Sequence, residues 1–63
     1  MNLGSRIRFY RTLKGLSQGE LASRLRMASS QLSRYENGHT QPRFSMLARI
    51  ARALGIRVSD FFF

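Results

Sequence analysis

Leu3, Ile7, Tyr10 and Leu13 recur at helical spacing. They predict an amphipathic helix from Leu3 to about Lys14 that stops near Gly15. Ser17 and Glu20 then stand three residues apart, just ahead of the apolar Leu21, Ala22 and Leu25. That spacing is a capping box, in which the serine hydroxyl and the glutamate carboxylate satisfy each other's backbone N–H, so a second helix starts there. A third helix, through Gln31-Leu32-Ser33-Arg34-Tyr35-Glu36, buries Leu32 and Tyr35 and ends at Asn37-Gly38, where glycine readily takes a left-handed conformation. His39-Thr40-Gln41-Pro42 reads as a turn. Phe44, Leu47, Ile50, Ala51 and Leu54 form the apolar stripe of a fourth helix closed by Gly55, and Ile56 and Val58 lead into a short terminal turn carrying Phe61 and Phe62. Five helical segments without a strand predict an all-α, compact five-helix domain over residues 1–63.

Length sharpens this picture. A chain of 63 residues buries only roughly 60% of the surface its unfolded form exposes, which leaves room for one domain and none for a deep active-site cavity. The only carboxylate side chains are Glu20, Glu36 and Asp60, and His39 is the only histidine. No paired-carboxylate, nucleophile or phosphate-loop arrangement is present, so an enzyme is not expected. Without cysteine there is no disulfide framework or thiolate metal site, and neither a metal nor a cofactor is expected. The longest apolar run, Phe61-Phe62-Phe63, is far too short for a membrane span or a secretory core, and a cytoplasmic protein is expected.

Charge points to a partner. Eleven cations against three anions give a formal net charge of +8, and ten of the eleven are arginine. A guanidinium grips phosphate or the edge of guanine with two parallel bonds, so the bias suits a polyanion, nucleic acid above all. The second and third helices, joined by about four residues, have the spacing of a helix-turn-helix reader. A major groove about 12 Å wide admits one such helix, and positions 29, 30, 33 and 34 lie where a helix start and its outward face reach base edges.

The chain resembles the lambda-type phage repressor and Cro helix-turn-helix family. The likeness is carried by Arg6-Ile7-Arg8, Arg11, Gly15-Leu16-Ser17-Gln18, Glu20-Leu21-Ala22, Leu32-Ser33-Arg34-Tyr35-Glu36-Asn37-Gly38, Pro42 and Leu47-Ala48-Arg49-Ile50-Ala51-Arg52-Ala53-Leu54-Gly55. It implies a five-helix fold with the third helix in the major groove of double-stranded DNA. It places Ser29, Ser30 and Arg34 at base-facing positions, with Ser33 beside them and Arg34 as the main specificity residue. Gln18, in the first turn of the second helix, matches a phosphate contact. Asn37 and the loop through Thr40 to Arg43 form a second phosphate clamp. Arg11 and Glu36 match a pair that joins the first helix to the end of the third.

Some positions depart from the family pattern. Arg26 stands where glycine is common, and a left-handed conformation there costs about 1–2 kcal/mol. Ala28 replaces the usual serine or threonine cap of the third helix, which leaves Ser29 as an alternative cap that shifts the helix start by one. Arg43 and Arg57 occupy N-cap positions for which arginine is poorly suited. Phe61 and Phe62 are expected to be buried, while Phe63 and Phe9 are left over, which predicts a weak homodimer on a palindromic operator. The resulting expectation is a sequence-specific duplex-DNA-binding transcriptional regulator, a repressor. The alternative is an antitoxin-like or adaptor module whose basic face docks an acidic partner.

Overall fold

A computed structural model describes residues Asn2 to Phe62. Helix α1 runs Leu3–Leu13, α2 Gln18–Leu25, α3 Ser29–Glu36 and α4 Phe44–Leu54, followed by a 3₁₀ turn over Val58–Phe62. The fold is thus four α-helices and a 3₁₀ turn, rather than five α-helices. The last five-residue segment is closed by local contacts: Asp60 N–H donates to Arg57 O at 2.9 Å, and the Asp60 carboxylate accepts from Arg57 N–H at 3.0 Å. Asp60 thereby does the capping work that Arg57 cannot.

Local chemistry sets most helix limits. Asn2 caps α1, its Oδ1 accepting from Ser5 N–H at 2.8 Å. At α2 the Ser17 hydroxyl accepts from Glu20 N–H at 3.0 Å, and the Glu20 carboxylate accepts from Ser17 N–H at 2.8 Å. Helix α3 starts differently. Ala28 is its N-cap, without a side-chain hydrogen bond, and Ser29 is already helical. The start does not shift to a serine cap, because the preceding turn fixes the register: Arg26 is left-handed at φ 57°, and Met27 N–H reaches back to Ala22 O at 3.0 Å.

Ile7, Leu21, Ala22, Leu25, Leu32, Leu47, Ile50, Ala51, Leu54 and Phe61 form the core. Helix α3 packs on α1 and α2, whereas α4 packs on α1, α2 and the 3₁₀ turn, so α1 and α2 together join α3 to α4. Gly4 lets α1 approach α3 at the backbone: a Cβ there would lie 2.6 Å from Glu36 O.

Three apolar residues expected inside are on the surface. Leu13 and Phe44 are 64% and 72% exposed; each is a terminal residue of its helix, beyond the reach of the packed neighbours. Phe62 is 61% exposed while Phe61 is buried, since successive residues of a three-per-turn helix point about 120° apart and only one of the two can face inward. Phe63 lies outside the described residues. Tyr35 is half-buried against the core.

Candidate nucleic-acid interface

Helices α2 and α3 are joined by Arg26, Met27 and Ala28 alone. The left-handed turn at Arg26 redirects the chain, while Leu21, Leu25 and Leu32 bury the inner faces of both helices. The outer face of α3 is left polar. Ser29, Ser30 and Arg34 are exposed on it and Ser33 is half-buried, so the four proposed base-facing residues share one short helix. Arg34 Nη2 donates to Thr40 Oγ1 at 3.1 Å, which ties the guanidinium to the loop after α3. Thr40 is half-buried, and Arg43 and His39 are exposed on that loop.

Beneath this face lies one buried carboxylate. Glu36, 3% exposed, accepts from Arg11 Nε at 2.6 Å, Arg11 Nη2 at 3.1 Å, Gln18 Nε2 at 3.0 Å and Arg8 Nε at 3.4 Å. Arg11 also donates through Nη1 to Leu16 O at 2.8 Å. Burial pushes the Glu36 carboxyl up, but the hydrogen bonds from Arg11 and Gln18, the Arg11 charge and the Arg8 contact outweigh it and hold the group below the ordinary carboxylate range. No buried side-chain nitrogen or oxygen among the described residues lacks a partner. Glu36 therefore stitches together α1, the start of α2 and the end of α3.

The network extends to the polar face. Asn37 accepts from Arg8 Nη2 at 2.7 Å and donates through Nδ2 to Ser33 Oγ at 3.2 Å. Gln18 and Asn37, assigned to phosphate from sequence, are thus both engaged inside the protein, and each amide nitrogen keeps a second hydrogen to donate. Sequence reasoning gave Arg8 no role of its own. Its signal was the i, i+3 spacing to Arg11, which puts both guanidiniums on one side of α1.

The other carboxylates are also occupied. Glu20 closes the capping box, and the backbone and hydroxyl hydrogen bonds of Ser17 lower its pKa. Asp60 holds the 3₁₀ turn. Little free negative charge is left to offset ten arginines. No helix among the described residues is long and apolar enough to cross a membrane.

A family model described as "Helix-turn-helix" matches residues 7–61. The chain belongs to this helix-turn-helix family. It is similar to an uncharacterized HTH-type transcriptional regulator of Sinorhizobium medicae (strain WSM419), with 39% identity over 62 residues, covering 98% of this chain and 45% of that protein. The chain thus spans about half the length of that curated relative. Among solved structures it is similar to the clp gene regulator ClgR from Corynebacterium glutamicum, with a TM-score of 0.92 at 35% identity, over 95% of this chain and 64% of that one. It is also similar to SinR, a master regulator for biofilm formation solved in complex with DNA. There the TM-score is 0.88 at 32% identity, over 97% and 98% of the two chains.

Proposed function

We propose that this helix-turn-helix domain binds duplex DNA sequence-specifically and acts as a transcriptional repressor by occupying its operator. The observation that carries this reading is the outer face of α3: Ser29, Ser30 and Arg34 are exposed together on a helix presented by a tight turn, in a chain of net charge +8. The likeness to SinR, whose structure contains DNA, supports it. In this reading α3 enters the major groove and Arg34 pairs with O6 and N7 of a guanine, the commonest discriminating contact. Ser29, Ser30 and Ser33 touch adjoining bases. Gln18, Asn37, Thr40 and Arg43 hold phosphates, with Gln18 and Asn37 using the amide hydrogens that the internal network leaves free.

Two subunits bind a palindromic operator, with half-sites about 34–36 Å apart, in the same reading. Phe9 and Phe62 are 47% and 61% exposed, and the Tyr10 ring meets Phe9 and Phe61 edge to face, with centroids 5.1 Å and 6.0 Å away. That aromatic surface suits weak two-fold pairing. Residues 1–63 act as one domain here.

Selection of bound sites from random duplexes, followed by affinity measurements over a range of salt, tests the proposal. The selected sites should be palindromic, and log affinity should fall by about 0.9 per log unit of salt for each phosphate neutralised. Arg34→Ala should relax preference at one base pair per half-site, by about 1–3 kcal/mol, whereas Arg43→Ala should weaken all sequences alike. A flat salt response would rule out DNA as the partner.

A further inference from the structure

Arg8 connects the buried carboxylate to the outer face of α3. Its Nε lies 3.4 Å from Glu36 Oε1, and its Nη2 donates to Asn37 Oδ1 at 2.7 Å. Asn37 Nδ2 in turn donates to Ser33 Oγ at 3.2 Å. This relay runs in one direction only, because a carboxylate accepts and a guanidinium donates. The Asn37 oxygen must therefore face Arg8, and its NH₂ group must face Ser33. Ser33 Oγ accepts on one lone pair, so its own proton turns away from the amide. Asn37 is exposed and Ser33 half-buried, which puts the end of the relay at the surface that α3 presents.

Taking α3 as the DNA-facing helix proposed above, we infer that Arg8 is a positioning residue for base and phosphate contact: it holds the Asn37 amide with its hydrogens toward the DNA and so leaves the Ser33 hydroxyl to donate to a base. One Asn37 hydrogen serves Ser33 and the other a phosphate. A turned-over amide would set its NH₂ against the guanidinium and its oxygen against the phosphate, two repulsive contacts that the Arg8 bond excludes. That bond is charge-assisted, a kind roughly twice as strong as a neutral one. Arg8 is half exposed, yet its Nε and Nη2 both face protein groups and its charge is shared with Glu36, so it acts through Asn37 and not on the DNA itself. A Ser33 hydroxyl committed to donating favours an acceptor on the base edge, such as N7 of a purine or O4 of thymine, over the amino group of cytosine.

The test measures affinity for a selected duplex over a range of salt for the wild type, Arg8→Ala, Asn37→Ala and the double variant, with circular dichroism to confirm that each is folded. Arg8→Ala should weaken binding roughly tenfold, the loss of one charge-assisted hydrogen bond. In the Asn37→Ala background the same change should cost less than about twofold, since the group it positions is gone. The salt slope should stay as in the wild type, because no phosphate loses a cation. Site selection with Arg8→Ala should lose the base preference that Ser33→Ala loses and keep the one that Arg34→Ala loses. Arg8→Lys, which retains a donor and the charge, should keep most of the binding. The inference is overturned if the Arg8 and Asn37 losses simply add, or if Arg8→Ala binds like the wild type. It is equally overturned if Arg8→Ala lowers the salt slope by about 0.9, which would make Arg8 a phosphate contact in its own right. A wild type without salt-dependent affinity for duplex is a separate failure, which removes the DNA reading and the role of Arg8 with it.

Discussion

Helices α2 and α3 have the same length and form the helix-turn-helix, yet they are held in opposite ways. Helix α2 carries its own start signal, the reciprocal Ser17 and Glu20 bonds, and buries Leu21, Ala22 and Leu25. Helix α3 has no side-chain cap, follows a left-handed arginine and buries Leu32 together with a charged residue, Glu36. Its position is set from outside, by Arg8 and Arg11 on α1, by Gln18 on α2, and by the glycine contact at Gly4. A helix fixed by local bonds frays alone when it is weakened. A helix fixed by a shared buried carboxylate fails together with its neighbours.

The largest effect should follow from breaking that shared carboxylate. Glu36→Gln leaves Arg11 beside a neutral group in a site where its side chain is 11% exposed, and should destabilise by about 3–5 kcal/mol. A chain of this length holds about 3–9 kcal/mol in all, so the change can approach complete unfolding. Denaturant titration measures it. Arg8→Ala, at a side chain that is 50% exposed, should cost about 1 kcal/mol or less and keeps the comparison measurable if the first variant does not fold. The native Glu36 carboxyl titrates below its ordinary value of 4.5. The folded state therefore binds fewer protons than the unfolded state in that range. The stabilisation is complete above the ordinary value and is lost as pH falls through the lowered native one. Glu36→Gln should flatten this part of the acid-unfolding curve, and an unchanged acid limb would show that Glu36 is not the group responsible.

Gly4→Ala tests the same junction without touching charge. The added methyl would lie 2.6 Å from Glu36 O and close to Tyr35 O, so α1 and α3 must part, at a cost of about 1–3 kcal/mol. Amide hydrogen exchange should show faster opening at the end of α3 and little change in α2. Equal loss in both helices would mean that the two are held as a single unit.

Much of this arrangement was legible in the sequence, for reasons that differ by residue. The capping box, the glycine stops and the apolar stripe of α4 are encoded within a few positions, so periodicity and spacing read them directly. The burial of Phe61 but not Phe62 follows from the three-per-turn geometry of the last segment, and that of Leu47 but not Phe44 from the place of Phe44 at the end of its helix, neither of which the apolar pattern states. Arg11 and Glu36 were paired only through a family likeness, and Arg8, Gln18 and Gly4 joined them only in three dimensions.

Arg26→Gly sharpens the contrast at the turn between the two helices. Relief of the left-handed strain, about 1–2 kcal/mol, is partly offset by the greater freedom of glycine in the unfolded chain, leaving a net gain of about 1 kcal/mol. A thermal melt should move upward. A fall would mean that the Arg26 side chain makes stabilising contacts worth more than the strain.

The smallest expected effects come from exchanging the two helix starts. Ser17→Ala removes the hydroxyl that accepts from Glu20 N–H and should cost about 1 kcal/mol, the usual worth of an N-cap. Ala28→Ser should return about the same amount by giving α3 the cap it lacks. The backbone is already suitable there, since Ala28 has the extended φ −69°, ψ 140° of an N-cap. Only an acceptor is missing. If both changes have the expected sign and size, the two helices differ in their caps as the structure indicates, and the doubly substituted protein should recover wild-type stability, because the two starts share no hydrogen bond and distant effects add. Should Ala28→Ser bring no gain while Ser17→Ala still costs its full amount, the start of α3 is limited by its packing against α1 and not by its cap. That outcome would move the whole control of α3 to the Glu36 network.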